Sequence, residues 1–134
     1  LLEIVIPEGL EANATSVAEV MEAIYAAGIA PDWWKLEAPS EAHWKATWAA
    51  WNALIAREDP YCRGVLVLGR GGSADDLLPA LRRARGEPRC KGFAIGRTIS
   101  DSTARQWFEG ELDDLAAKAA MAEAYEDLIR AWSP

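Results

Sequence analysis

Hydrophobic and polar positions follow two alternating periods along this chain. Short apolar runs at residues 1–7, 32–38, 64–69 and 91–97, each bounded by Pro or Gly, have the length and composition of buried strands. Between them the apolar residues move to helical spacing. Val17, Val20, Met21 and Ile24 form one stripe, stopped by Gly28, and Ser16-Val17-Ala18-Glu19 has the form of a capping box. Trp44, Trp48, Trp51 and Ile55 form a second stripe, in a helix that Ser40 opens and Asp59-Pro60 ends. Leu77, Leu78 and Leu81 mark a third helix, opened by Ser73 with Asp76 three residues on and ended by Gly86-Glu87-Pro88. Asp101 or Ser102 caps a short helix through Trp107, interrupted at Gly110. A long final helix follows, begun by Asp113-Asp114 and carrying Leu112, Leu115, Ala119, Ala122, Tyr125, Leu128 and Trp132 on one face.

The resulting order, β-α-β-α-β-α-β-α, predicts an α/β domain of four consecutive parallel βα units joined by right-handed crossovers. Its strands are apolar on both faces, as a covered parallel sheet requires. Four units are half of a TIM (β/α)8 barrel; an open doubly wound sheet is the competing architecture. Internal repeat is weak, and no linker divides residues 1–134. The sequence opens inside a strand, so we expect a piece of a longer protein.

Charge and composition narrow the partners. The net charge is −7, with no basic run, which argues against nucleic acid and anionic membrane surfaces. Apolar runs fall short of a membrane span, and no secretory leader pattern is visible. Two cysteines, Cys62 and Cys90, lack metal-ligand spacing and there is a single histidine, so a Cys/His zinc site is not expected. Reduced thiols and a cytoplasmic location are the default reading.

In either architecture ligands meet the C-terminal ends of the strands. The segment 31–39 holds the most pointed chemistry. Alternation puts Trp33, Lys35 and Glu37 on one face and Trp34 and Leu36 on the other. A lysine in an apolar strand is desolvated, which favours the neutral amine, a nucleophile toward carbonyls. The plainer alternative is a Lys35–Glu37 ion pair at a strand end. Glu3 shares a face with Leu1 and Val5, and an acidic residue in an apolar strand is seldom there for packing. The loop Gly69-Arg70-Gly71-Gly72 offers backbone N–H groups to an anion or is a simple βα turn. Gly96 with Arg97 can hold a phosphate, or Arg97 makes a surface salt bridge. The tryptophans 44, 48 and 51 read as core, and His43 as a solvated first-turn residue.

Four segments together resemble one family: Leu2-Glu3-Ile4; Gly28-Ile29 with Pro31-Asp32-Trp33-Trp34-Lys35-Leu36-Glu37; Asp59-Pro60-Tyr61-Cys62-Arg63-Gly64-Val65; and Lys91-Gly92-Phe93-Ala94-Ile95-Gly96-Arg97-Thr98. They are similar to the aldolase-like domain at the C-terminus of bacterial 5-dehydro-2-deoxygluconokinase fusion proteins of myo-inositol catabolism, itself similar to Schiff-base tagatose-bisphosphate aldolases. The resemblance implies the second half of a (β/α)8 barrel, with the first half and the kinase domain outside this sequence. It matches Lys35 to the Schiff-base lysine and Glu3 to the proton-handling glutamate. Gly69, Gly96 and Arg97 match the phosphate-holding strand ends, and Glu37 joins them as a substrate-binding candidate. The implied reaction is class I aldol cleavage of 2-deoxy-5-keto-gluconate 6-phosphate to dihydroxyacetone phosphate and malonate semialdehyde, with no metal or other cofactor. The other class of reading is a non-catalytic module that binds a sugar phosphate or packs on a kinase. An incomplete barrel has open sheet edges, so self-association or pairing with the missing half is expected.

Overall fold

The computed structural model describes residues 1–7, 15–69 and 74–133, without the side chains of 74–76. Four strands, β1 (Leu2–Glu3), β2 (Trp33–Glu37), β3 (Gly64–Leu68) and β4 (Cys90–Ala94), pair in parallel in the order β1-β2-β3-β4. The helices are α1 (Ser16–Ala26), α2 (Trp44–Glu58), α3 (Ala74–Ala84), α4 (Arg97–Phe108) and α5 (Asp114–Trp132), with a 3₁₀ turn at Glu41–His43 before α2. The strand order runs without reversal, which is compatible with half of a (β/α)8 barrel. A doubly wound sheet needs a switch point where the order turns back, and this sheet has none.

Alternation places the core on one side. Trp34, Leu36, Val65, Val67 and Cys90 join Met21, Trp48, Trp51, Ile55, Leu81 and Leu128 in one buried cluster. Trp33, Leu66 and Leu68 stand outside that cluster on the opposite face, although Leu68 is only 4% exposed. Trp34 anchors the centre: it is fully buried, donates its indole N–H to the Tyr25 hydroxyl at 2.8 Å and meets that ring edge-on. Trp48 and Trp51 meet edge-on at 5.0 Å, so the tryptophan stripe of α2 is core. α1 packs on α2, and α5 on both α3 and α4.

Several local expectations are corrected. β1 pairs over two residues rather than seven because it lies at the edge, yet the exposure alternation persists, with Ile4 and Ile6 packed on the core and Glu3 and Val5 outward. Ser16 is already helical and Thr15 takes the N-cap, so the capping box is out by one residue. Ser40 precedes the 3₁₀ turn and its hydroxyl bonds His43 Nδ1 rather than a backbone N–H. Val20 is exposed, leaving Val17, Met21 and Ile24 to bury α1. α5 buries Ala117, Leu128 and Ala131, with Trp132 packed on the core and Tyr125 edge-on to Phe93 at 6.3 Å, while Leu115, Ala119 and Ala122 are exposed. Helical spacing runs the inward stripe through Ala117, Met121, Ala124, Leu128 and Ala131, offset from the expected one over the first half of the helix. Asp113 does cap α5, accepting the Ala116 N–H at 2.8 Å. The proposed Ser73 cap and the loop 70–72 lie outside the described residues.

Gly64, the first residue of β3, has φ +139, and an added Cβ would lie 2.5 Å from the Arg89 carbonyl oxygen. Val65 N–H donates to that same oxygen at 2.8 Å. Glycine is therefore required where β3 meets the entry to β4.

Candidate functional site

The parallel register sets Glu3 directly beside Lys35, and the Ile4 N–H donates to the Lys35 carbonyl at 3.1 Å. Their side chains project from the face opposite the core cluster, and Lys35 Nζ lies 3.0 Å from Glu3 Oε1. The expected alternative, a Lys35–Glu37 pair, is not the ion pair formed. Two residues apart on one strand, Lys35 and Glu37 are separated by a full pleat repeat, whereas Glu3 sits one strand spacing away. Side-chain exposures of 22% for Lys35 and 40% for Glu3 leave the pair partly hydrated, so it contributes about 0.2–1 kcal/mol. Glu3→Gln should accordingly leave the urea midpoint of the isolated domain nearly unchanged; a collapse of the folded state would show the pair to be structural.

Beyond Lys35 on the same strand, Glu37 enters a cavity of about 600 Å³ at the C-terminal ends of β2 and β3. Gly69 and Thr98 line it at the strand-end rim, and Trp44, Leu77, Ala80 and Arg83 line its extension between α2 and α3. At Gly69 a Cβ would lie 3.0 Å from Thr98 Oγ1 and 3.2 Å from Ile95, so glycine permits the close approach of β3's end to α4. Among the described residues Thr98 Oγ1 is buried without a hydrogen-bond partner. The Arg83 guanidinium stacks 4.8 Å from the Trp44 ring centre and reaches Glu41 at 3.4 Å; the Trp44 N–H donates to Glu87 at 2.6 Å.

Gly96 and Arg97 are placed differently from the sequence expectation. β4 ends at Ala94, Gly96 is the N-cap of α4 and Arg97 its first residue, rather than the end of a strand. Both are exposed, and neither lines the cavity. The Ile99 and Ser100 N–H groups close onto the Gly96 carbonyl, which starts the helix four or five residues before the Asp101/Ser102 cap read from the sequence. The six candidates thus fall into three places: Glu3 with Lys35, Glu37 with Gly69, and Gly96 with Arg97. Arg83 was missed, and Thr98, named only as part of the Gly96-Arg97-Thr98 segment, was given no role of its own. Thr98 follows the Gly-Arg pair directly and could have been suspected, whereas Arg83 is brought in only by helix packing.

Both cysteines are free and buried. Burial pushes the Cys62 thiol up and raises Cys90 to about 11. At pH 8 a thiol with that pKa is about one part in a thousand thiolate, so Cys90 should react with a disulfide reagent far more slowly in the native chain than in urea. Its folded pKa is raised, so its contribution to stability is present below the unfolded thiol's pKa. That contribution is lost as pH rises from about 9 toward 11; urea melts across that range check it.

Among the described residues no helix is long and apolar enough to cross a membrane. Comparison with curated proteins and with solved structures gives no match. Comparison with protein families matches residues 1–134, the whole chain, to one family described as an uncharacterized protein conserved in bacteria (DUF2090). The chain, with its four-stranded parallel sheet and the Glu3–Lys35 pair on that sheet's outer face, is therefore a member of the bacterial DUF2090 family.

Proposed function

We propose that the chain is the lysine-bearing half of a (β/α)8 barrel and acts as a class I aldolase on a keto-sugar phosphate, namely 2-deoxy-5-keto-gluconate 6-phosphate, in the bacterial cytoplasm. The observation that carries this reading is the 3.0 Å contact of Lys35 Nζ with Glu3 across adjacent strands, on the face turned away from the helical core. The sequential parallel order, with the outer edges of β1 and β4 open among the described residues, supports a half-barrel, since a second set of four strands would pair both edges.

In this reading Glu3 takes a proton from the Lys35 ammonium, and the free amine adds to the substrate ketone. Glu3 returns that proton to the departing hydroxyl, and loss of water leaves a protonated imine. The substrate's β-hydroxyl then gives up its proton to Glu3 as the C–C bond breaks, and the bonding electron pair flows toward the imine nitrogen. Malonate semialdehyde departs; the remaining enamine takes a proton at carbon, and water hydrolyses the imine to dihydroxyacetone phosphate and free Lys35. Arg97, exposed at the start of α4, supplies the phosphate contact.

Glu3→Gln in the intact natural protein should lower kcat by about 10²–10⁴-fold while the fold persists. Turnover that survives Lys35→Arg and stops with a divalent-metal chelator would overturn the proposal. A second reading, a non-catalytic sugar-phosphate-binding module, is favoured by one observation: Glu37 and Gly69 line the cavity while Lys35 does not. Saturable binding of the substrate without turnover in the intact protein would select it.

A further inference from the structure

α2 and α3 follow neighbouring strands, yet they are not among the helix pairs in close backbone contact. The cavity of about 600 Å³ occupies the gap, large enough for a small-molecule ligand. Its lining is mostly apolar: Ala38, Leu68, Leu77, Pro79 and Ala80, with the Trp44 ring. The polar groups are divided between two ends. At the strand-end rim stand the Glu37 carboxylate and the Thr98 hydroxyl, whose oxygen is buried without a partner. Arg83 lies nine residues after Ala74, about 13 Å along α3 at 1.5 Å per residue. It is the one cation among the described lining residues, stacked on Trp44 and held only at 3.4 Å by a Glu41 that is 93% exposed.

We propose that this cavity binds a medium-chain hydroxy acid, its carboxylate on Arg83 and its hydroxyl between Thr98 and Glu37. Arg83 fixes the direction: a carboxylate there replaces a solvated Glu41 as partner of a guanidinium preorganised by the Trp44 ring. A hydroxyl at the rim donates to Glu37 and bonds Thr98 Oγ1, ending that atom's isolation. The site is independent of Lys35, which lies outside it.

Calorimetric titration of the full chain with 6-hydroxyhexanoate, hexanoate, hexanamide and butyl phosphate tests the assignment. We expect 6-hydroxyhexanoate to bind most tightly and hexanamide at least tenfold more weakly. Arg83→Gln should erase the preference for acid over amide, and Thr98→Val the preference for hydroxyhexanoate over hexanoate. Ala80→Phe, which fills the channel, should abolish binding while circular dichroism confirms that the variant folds. Lys35→Arg should bind as the parent does, which keeps this result separate from the aldolase reading. Absence of saturable binding, equal affinity for acid and amide, tighter binding of butyl phosphate, or retention of the acid preference in Arg83→Gln would overturn it.

Discussion

Trp48→Ala should cost the domain about 3–5 kcal/mol of unfolding free energy, enough to leave it largely unfolded if its stability is typical of a small domain. Trp48 is 1% exposed and sits between Trp44 and Trp51, 6.2 Å and 5.0 Å away between ring centres. Removing the indole would open a cavity in the middle of the α2 contact with the sheet, where the close-packed rings can relax only partly. The indole nitrogen identifies the cause. Trp48 Nε1 is buried without a hydrogen-bond partner, whereas Trp34 Nε1 donates to Tyr25. Trp48→Phe should therefore cost less than Trp34→Phe, because the second change also strands the Tyr25 hydroxyl. Urea denaturation of the three variants checks the order, and equal losses for the two Phe variants would show that ring volume alone matters.

Gly64→Ala should be nearly as damaging, by about 2–4 kcal/mol. The added Cβ would meet the Arg89 carbonyl oxygen at 2.5 Å and Lys91 Cγ at 2.8 Å. The side chain can swing away, but the carbonyl cannot, because it accepts the Val65 N–H that starts the β3–β4 pairing. The positive φ adds strain of its own for any L side chain. Gly96→Ala provides the contrast: nothing lies within 4 Å of a Cβ there, and its φ of −128 is open to any residue. A urea midpoint for Gly64→Ala close to that of Gly96→Ala would contradict the geometry at the β3 entry.

The strands and their order were legible because each apolar run is bounded by Pro or Gly and alternation within 32–38 separates Trp34 and Leu36 from Lys35. Alternation grouped Glu3 with Leu1 and Val5, and Lys35 with Trp33 and Glu37, and the parallel register set the two groups side by side on one face. What the sequence could not supply was the pairing itself. Lys35 and Glu37 are neighbours in the chain, so their ion pair was the plain alternative, but the contact made is to a strand 32 positions away in numbering. Helix ends were read from Ser, Asp and Glu spacing, and they shifted because Thr15 and Gly96 took the cap positions. That shift moved Arg97 from a strand end to a helix start. The first half of the α5 stripe was misjudged because alanines recur there on every face, so Ala119 and Ala122 were counted where Ala117 and Ala124 turn inward. Arg83 and Trp44 come together 39 positions apart, a juxtaposition invisible to local pattern.

The most direct measurement of the aldolase account is borohydride trapping in the intact natural protein incubated with 2-deoxy-5-keto-gluconate 6-phosphate, followed by peptide mass mapping. The account predicts a stable secondary amine at Lys35 and no trapping in Lys35→Arg, whose guanidinium stays protonated and is not a nucleophile. Active enzyme that turns the substrate over yet carries no adduct at Lys35 would contradict it.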